Sequence, residues 1–408
     1  MQKTKNLSRP TYLQQLIGFK DQNIIKVATG IRRSGKSTLL DLYIEHLKEQ
    51  GIKDEQIVFM NFESAKFEDI TTHQALYKFV ESKIYKGGKT YIFLDEIQMV
   101  SSFEKAVNSF MVDFDADIYL TGSNAYMLSS DLATLLSGRY VEIKMYPLSF
   151  AEFLSAQSNT ESLYSSEQYF NEYLKYGGFP FLARETDERK VASYLDGIYN
   201  TVVLKDIVQR NKLKDPALIE KLVRFVFSSI GSLVSPASIA KAIKDDNRAT
   251  TSETIENYLD MLCKAHILYK AVRYDIKGKQ YLKTLNKYYA ADLGLRNQIL
   301  GFRQVEPTHA LENVIYFELL RRGFSVDIGK VGEWEVDFVA RNKNEIKYYQ
   351  VAWTINNSPE TLQREYRPFD AIGDHYEKTI ITMDRDFVTS INGVKKINAI
   401  DFLLRKQA

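Results

Sequence analysis

Residues 30–37 read GIRRSGKS, between the apolar run IIKVAT (24–29) and the amphipathic stretch STLLDLYIEHLKEQ (37–50). The octet fits the P-loop pattern GxxxxGK[ST], and a strand before it with a helix after it is the context such a loop requires. Gly30 and Gly35 let the backbone curl so that successive N–H groups face phosphate oxygens. Lys36 brings a point charge to the β- and γ-phosphates, and the Ser37 hydroxyl is a ligand for Mg²⁺. The helix opening near Lys36 turns its positive end to the same phosphates. The expected nucleotide-binding set is Gly30, Ile31, Arg32, Arg33, Ser34, Gly35, Lys36, Ser37 and Thr38, with ATP and Mg²⁺ as ligands. Arg32 and Arg33 are expected to turn their side chains toward solvent or another domain.

Four more apolar runs follow: QIVFMNF (56–62), TYIFLD (90–95), ADIYLTG (116–122) and YVEIKMY (140–146). Helical spacing between them predicts a parallel sheet covered by helices, an α/β domain over residues 1–150. YIFLDEIQ (91–98) is a buried strand ending in two carboxylates. Asp95 at its carboxyl end can hold Mg²⁺, and Glu96 can polarise the attacking water as a general base. IYLTGSN ends in Thr121, Ser123 and Asn124. There a polar side chain either orients water and senses the γ-phosphate or merely caps a turn. Arg139, in LLSGRYVEI, is placed as an arginine finger, in cis or from a neighbouring subunit of a homo-oligomer; the alternative is a surface arginine or ion-pair partner.

The chain has 408 residues, 45% hydrophobic and 26% charged, with 20 Gly and 8 Pro. This is the balance of an ordinary globular protein of two or three domains, and it excludes collagen-like and disordered chains. Cys263 is the one cysteine, so neither an internal disulfide nor a cysteine metal site is available, and the histidines show no metal-ligand spacing. No apolar run is long enough to span a bilayer and no signal peptide is evident, which points to a cytoplasmic protein without a membrane partner. The net charge of +2 is uneven: residues 205–287 carry 16 Lys/Arg against 9 Asp/Glu.

Beyond the first domain, residues 151–214 read as a helical linker or lid, broken at the Gly-Gly-Phe-Pro turn (177–180). Asp215-Pro216 marks a helix start. Residues 215–295 have winged helix-turn-helix spacing: VSPASIAKAIKDDN (234–247), SETIENYLDMLCKAHIL (252–268), then two strands joined by Lys277-Gly278-Lys279. One reading sets the second helix in a DNA groove with the basic wing on phosphates, making 234–287 a DNA-contact region. The other, favoured by Glu253, Glu256 and Asp260 on that helix, is a connector or protein-contact module.

GIRRSGKS, YIFLDEIQ, LTGSN, LSGRY with YPLSFAEF, and KYGGFP together resemble the prokaryotic AAA-type P-loop ATPases of the archaeal/bacterial group. These carry a C-terminal domain of unknown function, a winged helix followed by a PD-(D/E)xK nuclease-like fold, and the likeness runs from about residue 10 to 400. It implies a RecA/AAA-like sheet with the acidic strand next to the P-loop strand, and Glu96 as the catalytic glutamate. Residues 296–408 are then a restriction-endonuclease-like α/β domain. Its site residues are Glu312 on a helix, Asp337 in WEVDFVA and Gln350 in YYQVAW, a pattern E…D…QxA without the motif lysine. Lys347 points to the other face of its strand, and Glu335 can add a carboxylate but not a cation. The site is therefore read as vestigial, in a domain still able to bind nucleic acid or a protein partner. Three functions follow: an Mg²⁺-dependent ATPase driving its C-terminal modules, an ATP-gated nuclease acting on DNA, or a nucleotide-switched scaffold with little turnover.

Overall fold

The computed structural model describes residues 7–122, 136, 138–157, 165–185, 187–209, 213, 215–244, 250–302, 306–343, 345–385 and 390–405. It divides into two compact units, Met1–Pro147 with Lys264–His266, and Leu148–Cys263 with Ile267–Ala408.

The first unit alternates helices and strands: α1 (Pro10–Gly18), β1 (Ile25–Thr29), α2 (Lys36–Glu49), β2 (Ile57–Asn61), α3 (His73–Glu81), β3 (Thr90–Asp95), α4 (Phe103–Asp113), β4 (Ala116–Gly122) and β5 (Tyr140–Lys144). Among the described residues the strands form a five-stranded sheet, wholly parallel, in the order β2-β3-β4-β1-β5. Side chains alternate across it. Ile92 and Leu94 face a core with Leu76, Val107 and Phe110 of α3 and α4, while Tyr91 and Phe93 face Leu39, Tyr43 and Leu47 of α2. Both faces are covered, which is why these strands read as unbroken apolar runs.

The order corrects one expectation. The acidic strand β3 is not next to the P-loop strand β1, because β4 lies between them. The apolar runs carry no mark of neighbour order: β4 is buried on both faces, as a central strand must be, but so is β3.

The second unit begins with helices α5 (Phe150–Gln157), α6 (Ser166–Tyr176) and α7 (Glu188–Tyr199), the last running on as π-helix over Asn200–Gln209. Helices α8 (Pro216–Ser228), α9 (Pro236–Lys244) and α10 (Ser252–Lys264) follow, then the hairpin β6 (Leu268–Asp275) and β7 (Gln280–Ala290). Asp215 caps α8 by accepting the Leu218 N–H at 3.1 Å, as the Asp-Pro signal predicts. After α11 (Leu293–Leu300) and α12 (Pro307–Arg321) come β8 (Ser325–Val331), β9 (Trp334–Arg341), β10 (Ile346–Ala352), α13 (Pro359–Asp370), β11 (Glu377–Thr382), β12 (Ser390–Ile391), β13 (Val394–Asn398) and α14 (Ala399–Leu404).

These strands join one eight-stranded sheet among the described residues, β12-β13-β11-β10-β9-β8-β6-β7. The hairpin read as a wing is thus part of the nuclease-like sheet, since β6 pairs in parallel with β8 through Arg273–Asp275. The turn at 177–180 is held by Asp292, the N-cap of α11, whose carboxylate accepts the N–H groups of Gly178 (2.6 Å) and Leu295 (3.0 Å). Gly177 has φ +79, and a Cβ there would lie 2.1 Å from the Asp292 carboxylate, so only glycine fits. Burial pushes the Asp292 carboxyl up to about 6, against the pull of the backbone N–H groups it accepts. Among the described residues, no helix is long and apolar enough to cross a membrane.

Candidate nucleotide site

The loop between β1 and α2 is shaped by its glycines. Gly30 has φ +141, and a Cβ on it would stand 2.0 Å from the Met145 carbonyl oxygen, so no other residue fits. Gly35, with φ +99, turns the chain into α2. Lys36, 4% exposed, folds back over the loop and donates to the carbonyls of Gly30 (3.1 Å) and Ile31 (3.2 Å). Burial holds its ammonium below the usual lysine range, although Glu96 and Asp95 pull the other way. The Ser34 hydroxyl is buried without a hydrogen-bond partner. An unpaired buried hydroxyl costs free energy unless a ligand satisfies it. With the glycine cradle and Lys36, it fits a bound phosphate.

The acidic strand delivers both carboxylates to this loop. Asp95 is fully buried, and its Oδ1 accepts from Ser37 at 3.1 Å and from the Thr121 hydroxyl. Its Oδ2 accepts the Asn61 amide N–H at 2.7 Å. Burial raises its carboxyl above the ordinary range, outweighing the donors Thr121 and Ser37. Glu96 sits at φ +55, a left-handed conformation that sets its side chain away from the strand direction. Its N–H donates to the Thr121 hydroxyl at 3.0 Å and its carboxylate accepts from Gln98. Thr121 therefore links the Asp95 carboxylate to the Glu96 backbone.

Arg32 pairs with Glu63, whose own N–H donates to Asn61 Oδ1 at 2.8 Å, so its guanidinium belongs to a loop contact. Ile31 is fully buried, Arg33 is exposed at φ +68, and Thr38 begins the second residue pair of α2. Asn124 lies outside the described residues. Arg139 does not join the phosphate site of its own chain. It stands just before β5, its carbonyl accepting the Ile25 N–H at 2.9 Å, at the amino end of the sheet. The P-loop leaves the other end of β1, roughly 13 Å of strand away. That parallel register sets the Arg139 backbone at the end of the sheet away from the loop.

Two contributors escaped sequence reading. Arg9, 2% exposed, donates to the carbonyls of Ser34 and Tyr146, both at 2.8 Å, with its guanidinium 4.7 Å from the Tyr12 ring centre. It braces the loop from 25 residues upstream, and nothing local marks it. Asn61 does leave a trace, as the polar residue ending the apolar run QIVFMN.

In the second unit Glu312, Asp337 and Gln350 come together. The Gln350 amide oxygen accepts the Asp337 N–H at 3.2 Å, and Asp337 Oδ2 accepts the Val351 N–H at 2.8 Å. A cation reaches these carboxylates from β7: Lys287 Nζ lies 2.8 Å from Glu312, 2.8 Å from Glu335 and 3.5 Å from Asp337. Burial alone would lower the Lys287 ammonium, but Glu312, Asp337 and Glu335 hold it above the ordinary lysine range. Burial and Glu312 raise the Asp337 carboxyl well above its own. Lys347 pairs instead with Glu345 at 2.9 Å, on the other face as its offset predicts. Of the basic wing, Lys270, Lys277 and Lys279 are exposed while Lys287 is buried, and α10 exposes Glu253, Glu256 and Asp260.

The family profile of an AAA domain matches residues 22–154, and that of a domain of unknown function, DUF8612, matches 167–306. An uncharacterized protein of Haemophilus influenzae is 43% identical over 401 residues, covering 98% of this chain and 99% of that protein. An uncharacterized protein of Methanocaldococcus jannaschii is 29% identical over 364 residues, covering 85% of this chain and 78% of that one. Among solved structures, a Walker-type ATPase of Pyrococcus abyssi superposes with a TM-score of 0.51 at 14% identity, covering 72% of this chain and 96% of that one. That likeness is one of fold.

Proposed function

Because the chain belongs to the prokaryotic AAA-type P-loop ATPases that carry a C-terminal domain of unknown function, we propose that it hydrolyses ATP in a Mg²⁺-dependent reaction and uses turnover to move its C-terminal modules. The observation that carries the reading is the meeting of Ser37, Asp95, Glu96 and Thr121 at the mouth of the loop that holds Lys36.

The Gly30–Thr38 loop binds the triphosphate, its N–H groups and the α2 amino end facing the phosphate oxygens. Lys36 then exchanges its two carbonyl partners for the β- and γ-phosphates. Ser37 and Asp95 would hold Mg²⁺, which would offset the negative charge of the phosphates. Asp95 gives up the Ser37 hydrogen bond for that purpose and is kept in place by Asn61 and Thr121. Glu96 orients the attacking water and accepts its proton. Any arginine finger on Arg139 acts in trans, in an assembly of more than one subunit. The C-terminal modules meet a nucleic-acid or protein partner, and the acidic exposed side of α10 favours protein there over a DNA groove.

Steady-state ATP hydrolysis with and without Mg²⁺, alone and with single- or double-stranded DNA, tests this. We expect Mg²⁺-dependent turnover that Lys36→Ala abolishes. Failure of the purified chain to bind labelled ATP in the presence of Mg²⁺ overturns it. Stimulation by DNA would assign the exposed wing lysines to phosphate contact.

A further inference from the structure

The three carboxylates that resemble a nuclease site close on an ammonium group of the same chain. Lys287 and Glu312 are each 3% exposed, and Asp337 is 9% exposed. An ammonium has three N–H donors, and Glu312, Glu335 and Asp337 offer it three acceptors at 2.8, 2.8 and 3.5 Å. Those are hydrogen-bond distances around a nitrogen; oxygens gathered for Mg²⁺ would converge to about 2.0–2.1 Å from one point. Among the described residues, no group of three or more His, Cys, Asp or Glu is arranged to hold a metal ion.

The surroundings leave little for a competing ion. Glu312 Oε1 also accepts the Tyr289 hydroxyl at 2.6 Å. Glu312 Oε2 is covered by Gly231, where even a Cβ would come within 2.9 Å of it. Asp337 Oδ2 is engaged by the Val351 N–H, and the Gln350 oxygen by the Asp337 N–H. Lys287 and Tyr289, two residues apart on β7, share one face of the strand and reach the same carboxylate. The ammonium thus arrives from the sheet edge opposite to β10, where the motif lysine would have stood.

We infer that Lys287 is the resident cation of this site: its ammonium takes the place of a divalent metal among Glu312, Glu335 and Asp337, so that this domain binds no divalent ion there and performs no metal-assisted cleavage of nucleic acid. The site is a closed charge cluster that fastens the β6–β7 hairpin to α12 and β9. A divalent cation can enter only where Lys287 has been removed.

The test uses the full chain without nucleotide. Lys287→Met keeps most of the length of the side chain and removes the charge, leaving the buried Glu312 and Asp337 and the half-buried Glu335 without their partner. Its thermal midpoint should fall by several degrees, and millimolar Mn²⁺ should restore most of the loss. Lys287→Met combined with Asp337→Asn should not respond to Mn²⁺. Wild type and Asp337→Asn should bind Mn²⁺ identically in calorimetry, any binding at Asp95 being common to both, and neither should nick plasmid DNA. A Lys287→Met variant that folds but ignores Mn²⁺ overturns the inference. So does Mn²⁺ binding or DNA cleavage by wild type that Asp337→Asn abolishes, a result readable even if Lys287→Met does not fold. Because Lys36 and ATP play no part, failure here leaves the ATPase proposal standing.

Discussion

The Thr121 hydroxyl is the smallest group on which the proposed chemistry depends, and Thr121→Val isolates it. Valine keeps the shape of the buried side chain but removes the donor to Asp95 and the acceptor for the Glu96 N–H. A buried N–H left unpaired costs about 1–3 kcal/mol. Asp95 would still be held by Asn61, so the loss falls chiefly on the placement of Glu96. If about 2 kcal/mol of that placement is lost at the transition state, kcat drops roughly 30-fold, at about 1.36 kcal/mol per decade. The P-loop is untouched, so KM for ATP should change by less than about threefold. Thr121→Ser restores the hydroxyl and should recover most of the rate. The assay is Mg²⁺–ATP hydrolysis by the three proteins over a range of ATP concentrations. A valine variant with wild-type kcat, or a serine variant as slow as the valine one, refutes the positioning role.

Three other expectations are open to measurement. Arg9→Ala leaves the buried Ser34 and Tyr146 carbonyls without their guanidinium donor; a loss of about 2–4 kcal/mol in denaturant unfolding and a raised KM for ATP should follow. Gly30→Ala forces a Cβ to within 2.0 Å of the Met145 carbonyl at a φ that alanine rarely adopts, so binding of a fluorescent ATP analogue should be lost while the second unit keeps its fold by circular dichroism. Asp292, with a carboxyl raised to about 6 in the fold from 3.8 unfolded, binds a proton more readily when native. Stability contributed by this group therefore falls as pH rises from about 4 to 6 and is flat above, by about 3 kcal/mol. Urea unfolding at pH 5 and 7 should show that slope diminished in Asp292→Asn, and an unchanged slope would remove Asp292 as its source.

Much of the fold was legible because it is local. The runs at 90–95 and 116–122 coincide with β3 and β4, since strands buried on both faces declare themselves by mostly apolar residues, and WEVDFVAR coincides with β9. The GKS octet fixed the loop and its helix for a similar reason: its glycines answer a backbone demand satisfied within eight residues. What the sequence withheld is the partnership of distant segments. The insertion of β4 between β1 and β3 left no local trace. Arg9 meets Tyr146 across 137 residues, and Lys287 meets Glu312 across 25. A search for the missing nuclease cation along β10 could find only Lys347, whose alternation sends it to the wrong face. The lysine that does reach these carboxylates sat in a hairpin whose basic character suggested phosphate contact, and only its shared face with Tyr289 hinted that it points inward. Arg139 is the converse case, a residue type suited to the chemistry whose place, at the end of the sheet away from the loop, depends on strand pairing that local sequence does not carry.

The parallel pairing of β6 with β8 has a consequence for synthesis of the chain. The hairpin leaves the ribosome complete at residue 290, but its open edge finds no neighbour until residue 331 has followed. During that interval it is a two-stranded ribbon, marginal by itself and open to pairing with another nascent chain. Lys287 is made before every carboxylate that will surround it, so for those residues the ribbon carries a hydrated, unneutralised ammonium on one face. Such a charge discourages edge-to-edge association until Glu312, Glu335 and Asp337 arrive and draw it under cover.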